Sequence, residues 1–184
     1  KADSLRGSNG PYRAWWDVVQ YDVSVRPDPS THSIVGTTQI AFDALTEGQR
    51  MQVDLQQPLV VDSILTEVAS FKDGAIMVID QAVPFQHEGN VVWVELPHRM
   101  KQGEASSITV HYHGVPIAAK NPPWDGGWIW KTDKNGTPWM SVACQGLGAS
   151  AWYPCKDLQS DEPDRGASLH ITVPDSLQAI GNGR

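Results

Sequence analysis

The sequence predicts an all-β protein, a sandwich or saddle of mainly antiparallel sheets. Three observations carry that expectation. Apolar side chains recur with a period of two in one segment after another. Turn signals rich in Gly, Pro, Asn and Asp return every ten to twenty residues, and no stretch sustains the period of an amphipathic helix.

Residues 1–10, KADSLRGSNG, are polar with two glycines and read as a flexible lead-in to a single domain over 11–184. In VQYDVSV at 19–25 the odd positions are apolar and the even ones polar, the pattern of a half-buried strand, which Pro27 and Pro29 should end. Over 33–45, Ile34, Ile40 and Phe42 share a face. MQVDL at 51–55 alternates again, and DSILTEV at 62–68 does so less cleanly. AIMVIDQAVPFQHEGNVVWVELP at 75–97 predicts a hairpin of two apolar runs about Glu88, Gly89 and Asn90. SSITVHYHG at 106–114 puts Ile108, Val110 and Tyr112 on one side and His111 and His113 on the other. The stretch 121–140, NPPWDGGWIWKTDKNGTPWM, holds four of the eight tryptophans. Asn135 and Gly136 both tolerate positive φ, so Trp128 and Trp130 fall on one arm of a hairpin and Trp139 on the other. Pro122-Pro123 and Gly126-Gly127 place Trp124 on an irregular loop. The last strand is SLHITVP at 168–174, with Leu169, Ile171 and Val173 inward.

Composition excludes several functions. The net charge of −7 with scattered Lys and Arg is wrong for nucleic acid, and no run is long and apolar enough to span a membrane. There is no H-E-x-x-H, G-x-S-x-G or phosphate loop, so no catalytic residue and no metal site is assigned to this chain. His111 and His113 share a strand face, but two ligands do not make a site, and solvent-facing residues are the simpler reading. Cys144 and Cys155 could pair, or could be two buried free thiols. Asp161, Glu162 and Asp164 sit in a Pro- and Gly-punctuated stretch that reads as an exposed connector. The tryptophans also permit a carbohydrate-binding β-sandwich module, with Trp124 and Trp152 as the candidate surface aromatics.

QGLGASAWYPCKD at 145–157 fits neither strand nor helix. By its chemistry alone, Gln145 could be a buried amide tying a loop to a strand. The longer segment MSVACQGLGASAWYPCKD resembles the signature loop in the N-terminal domain of zinc aminopeptidases of the aminopeptidase N and leukotriene hydrolase family. There a Gln-x-Glu or Gln-x-Gln precedes a Pro-Cys-x-Asp. Pro154-Cys155-Lys156-Asp157 matches the second half, and Gln145 falls on the second position of the first pair, with Ala143 at its first. Ser150 stands where many members carry Arg. YDVSVRPDPSTHSIVGTTQIAF and MQVDLQQPLVVDSI are similar to the family's opening strands, so the resemblance covers about residues 16–184.

The resemblance implies that this loop reaches the rim of a zinc site in a following catalytic domain, which would supply the zinc and be the partner of this one. Gln145 would receive the free α-amino group of peptide substrates. Its amide oxygen is an acceptor without the desolvation cost of a buried carboxylate. Gly146 and Gly148 would let the substrate backbone pass closely, and Trp152, Tyr153 and Pro154 would pack behind and hold the loop. The surface around 145–157 should then be an apolar interdomain face. The family's frequent export, together with a first residue that is not Met, points to a periplasmic or secreted protein.

Overall fold

A computed structural model describes residues 8–72 and 75–183. Most of the expected lead-in, residues 1–7, lies outside the described residues. Helix α1 (Pro11–Ala14) opens the fold, with proline in its first turn. Among the described residues, eleven strands follow, in three sheets.

The largest sheet has six strands in the order β11-β1-β2-β8-β4-β5. These are β1 (Trp16–Asp28), β2 (Ser33–Ala44), β4 (Val60–Lys72), β5 (Ala75–Ala82), β8 (Ala105–Gly114) and β11 (Ala167–Ile171). A second sheet orders β3 (Gly48–Asp54), β7 (Val91–Met100) and β6 (Phe85–Glu88), and β9 (Gly127–Thr132) pairs with β10 (Pro138–Ala143) in a hairpin. Among the described residues, these strands pair with one another antiparallel except β1 with β11, which is parallel.

Tyr21, Val23 and Val25 face the core as the alternation requires. Val19 does not, because the register shifts between Val18 and Gln20 and turns Val18 inward instead. Strand β1 also runs through Pro27 to Asp28. Its pairing with β11 ends at Val25, so proline's missing N–H falls where no ladder bond is needed on that side. Ile34, Ile40 and Phe42 pack with Ile108, Val110 and Tyr112 across the β2–β8 ladder, and Phe42 meets Trp15 and Trp16 edge-on.

Three further strands depart from expectation. The turn at Gly89 and Asn90 joins β6 to β7, but the apolar run of β5 pairs with β4, in another sheet. Alternation cannot say which neighbour an apolar strand selects. Leu169 is exposed rather than inward, because β11 is an edge strand laid alongside β1. In β3, all of Met51, Gln52, Val53 and Asp54 are buried. The second face of that strand is covered by α1 and by the segment around Cys155, so Gln52 and Asp54 are interior polar groups, not solvent-facing ones.

Candidate functional site: the loop carrying Gln145

After Ala143 the chain turns sharply. The Cys144 carbonyl accepts from the amides of Leu147 (3.2 Å) and Gly148 (2.9 Å), and a short 3-10 turn follows at Ala149–Ala151. Gln145 and Gly146 stand exposed at the tip. Gly146 has φ 74° and nothing near its missing side chain. Gly148 has φ 78°, but the room its missing side chain leaves is filled by the Asp157 carboxylate, not by a path for substrate backbone.

The base of the loop is locked into the core. Asp54 and Cys155 exchange backbone hydrogen bonds (2.8 and 3.0 Å), and the Gln56 amide N–H donates to the Ser150 carbonyl (2.9 Å). The buried Gln56 side chain donates to the Leu147 carbonyl and to Ser150 Oγ. The amide that ties loop to strand is therefore Gln56; Gln145 is free at the surface. Ser150 Oγ donates in turn to Asp157 Oδ2, and the Asp157 N–H donates to Asp54 Oδ2 at 3.0 Å.

Two buried ion pairs hold this frame. Arg13 of α1 meets Asp54, and Gln52 Nε2 also donates to Asp54. Burial lifts the Asp54 carboxyl above its ordinary range, while the Arg13 guanidinium pulls it back. Lys156 meets Asp161 and the Trp16 carbonyl, and its ammonium lies 4.6 Å from the Trp16 ring centroid. The Lys156 amide donates to Tyr21 Oη at 3.0 Å. Asp161 is thus an interior counter-ion, although Glu162 and Asp164 beside it are exposed as a connector would be.

The aromatics behind the loop form a continuous series. Trp152 meets Tyr153 edge-on at 4.7 Å and Trp128 at 6.4 Å, Trp128 stacks on Trp130 at 4.9 Å, and Trp130 stacks on His32 at 5.1 Å. Trp152 is half-buried in this series, so it is not a surface platform. Trp124 is 77 % exposed. Its loop is pinned by Asp125, whose carboxylate accepts from the amides of Lys120 and Asn121. Leu147 packs against Gly126, leaving no space for a side chain there, and so joins the Trp124 and Gln145 loops.

Cys144 and Cys155 are both free thiols, and burial pushes both thiols upward. His111 Nδ1 lies 3.1 Å from Thr37 Oγ1, and His113 Nδ1 lies 2.7 Å from Asp62. No group of three metal-ligating side chains gathers among the described residues. No large apolar side chain within 145–157 is exposed; such residues concentrate instead on β4 and β5. Arg13, Gln52, Asp54, Gln56 and the Lys156–Asp161 pair carried no sequence signal, because each becomes interior only when distant segments meet.

No family model matches the sequence. A search of curated proteins also finds no match. Solved structures do match in fold. One is an M1 zinc metallopeptidase variant from Deinococcus radiodurans, at TM-score 0.60 and 20% identity over 90% of this chain and 34% of that one. Another structure of a variant from that organism, bound to a Tyr-Ser-Ala substrate, matches at TM-score 0.57 and 19% identity, with the same coverage of 90% and 34%. The leukotriene A4 hydrolase of Saccharomyces cerevisiae matches at TM-score 0.61 and 16% identity over 88% of this chain and 24% of that one. The chain spans a quarter to a third of the length of these neighbours. It has the fold of the N-terminal β domain of M1 zinc metallopeptidases.

Proposed function

We propose that residues 11–184 form the N-terminal domain of a zinc-dependent aminopeptidase, and that Gln145, with Gly146 beside it, receives the free α-amino end of a peptide substrate. The observation that carries this reading is the loop itself: an exposed Gln145 at the tip of a turn whose base is tied to β3 through Gln56, Ser150, Asp157 and Asp54. A group that must meet a substrate ammonium has to be accessible, unfilled by other partners and held still. Gln145 Oε1 meets the first demand, and the locked base serves the last.

Zinc and its ligands belong in this reading to a following domain, as the resemblance of the loop around Gln145 implies. This chain contributes binding and orientation: an acceptor for the ammonium, and a wall that favours substrates with a free amine. The structural neighbour bound to Tyr-Ser-Ala is a peptidase holding a short peptide, which agrees with that substrate class.

The test is Gln145→Ala in the longer enzyme, comparing kcat/KM on an amino-acid anilide with its N-acetylated form. Losing one acceptor for an ammonium should cost roughly tenfold to a hundredfold on the free-amine substrate. Gln145→Glu should restore or exceed the original value, because a charged acceptor binds a cation more strongly. Equal losses on both substrates would refute the assignment.

One observation favours a second reading, a carbohydrate-binding module: Trp124 is exposed on a loop whose amides are held by Asp125. That reading requires a shift of tryptophan fluorescence on adding oligosaccharide, abolished by Trp124→Ala.

A further inference from the structure

The β9–β10 hairpin opens where Gly127 pairs with Ala143. The loop of Trp124 enters β9 at that end, and the loop of Gln145 leaves β10 there. The two loops touch, since a side chain at Gly126 would meet Leu147 Cβ at 2.6 Å. Trp124 and Gln145 each stand two residues from this contact. Consecutive Cα atoms are about 3.8 Å apart, so the Cα atoms of Trp124 and Gln145 lie within about 20 Å of each other.

Both loops are held. The Trp124 N–H donates to the Asn121 carbonyl at 2.9 Å, and the Asp125 carboxylate accepts from the amides of Lys120 and Asn121 at 2.7 and 2.8 Å. On the other side the Leu147 carbonyl accepts from the Gln56 side chain. Trp124 nonetheless stays 77 % exposed, more than any other aromatic among the described residues. A lone exposed apolar side chain is ordinary on a protein surface. This one sits on a held loop, packed against a second held loop whose tip presents a hydrogen-bond acceptor. The two loops together offer one polar and one apolar contact in a fixed relation.

We propose that Trp124 is a specificity-determining residue of the peptide site, packing on an apolar side chain beyond the first bond of the substrate. The inference rests on the peptidase reading, with the substrate ammonium at Gln145. An extended peptide advances about 3.3–3.6 Å per residue, so three residues cover about 10 Å, and the Gln145 and Trp124 side chains close the remainder from either end. The second and third side chains of the peptide are then the ones that meet the indole. Its flat apolar face suits aromatic and branched aliphatic groups and gives glycine nothing to pack on. The substrate class is a peptide of three or more residues, apolar at its second or third position.

The test follows release of alanine by the longer enzyme from Ala-Phe-Phe and from Ala-Gly-Gly, peptides alike at the amine and different beyond the first bond. Trp124→Ala should lower kcat/KM on Ala-Phe-Phe about tenfold, chiefly through KM, and leave Ala-Gly-Gly within about twofold. Trp124→Phe should keep most of the preference, because a smaller ring still offers an apolar face. Trp139 is 53 % exposed and pairs with Lys131 toward the far end of the hairpin, so Trp139→Ala should change neither rate. Gln145→Ala should lower both peptides alike, since both carry the free amine. If Gln145→Ala does so while Trp124→Ala loses nothing, or loses both peptides equally, this inference alone is overturned. If Gln145→Ala lowers neither, or no alanine is released at all, the peptidase reading falls and this inference falls with it.

Discussion

The hydroxyl of Ser150 donates to Oδ2 of Asp157 across 2.6 Å, and this bond closes the turn that presents Gln145. Asp157 is held from the other side by its own amide on Asp54. The loop is consequently a short arch with a fixed base and an exposed tip, and its two nearby glycines have different duties.

Gly148→Ala should destabilise the protein by about 2–4 kcal/mol, because it combines a left-handed backbone with a Cβ 2.2 Å from Asp157 Oδ2. Gly146→Ala carries only the backbone cost, about 1 kcal/mol, since an added Cβ would meet nothing within 4 Å. Urea denaturation of both variants separates the two effects. Equal losses would mean that Asp157 moves aside freely.

Gln56→Leu should cost about 1–3 kcal/mol, since it strips a donor from Ser150 and from the Leu147 carbonyl inside the protein. The amides of Leu147 and Gly148 should exchange with solvent faster in this variant, while those of β2 keep their protection. Unchanged exchange in the turn would show that the backbone bonds to Cys144 suffice to hold it.

Lys156→Met should destabilise by about 3–5 kcal/mol, because it leaves Asp161 as an uncompensated interior charge. Adding Asp161→Leu should recover a large part of that loss. The double-mutant cycle reads the coupling directly. Additive losses would show that the pair contributes through packing rather than charge.

Stability should fall steeply in alkali. Burial pushes the Cys155 thiol well above its ordinary value near 9, and the Tyr21 hydroxyl well above 10. The Tyr112 and Tyr153 hydroxyls are raised by burial too. Well below pH 8 all four are essentially neutral in both states and add little slope. Above it the unfolded chain releases protons that the folded chain keeps, so each group lowers stability as pH rises, by up to about 1.4 kcal/mol per pH unit. Urea midpoints measured from about pH 8 to about pH 10.5 should drop progressively. A flat profile would mean that these groups ionise without unfolding.

Much of the architecture could be read in advance from residues whose partners are near in sequence. Alternation placed Tyr21, Val23, Val25, Ile34, Ile40 and Phe42 in the core, and Asn135-Gly136 placed the β9–β10 turn. Gln145 was singled out by the segment around it, and the structure shows it exposed. What failed were statements about which face or neighbour a strand would find. Gln52 and Asp54 alternate as outward residues, yet α1 and the Cys155 segment cover them; the apolar run of β5 passes for a core strand, yet it ends the sheet uncovered.

The sequence by itself determined the β class, the strand periodicity and the turn positions, because these rest on backbone sterics and on side chains a few residues apart. Only the tertiary structure decided the order of strands, the parallel pairing of β11 with β1, and the frame beneath Gln145. Arg13 reaches Asp54 across 41 residues, and Gln56 reaches Ser150 across 94. Those groups are polar in any local reading. They become structural because the fold removes water from them, and a polar group without water must find its partner in the chain.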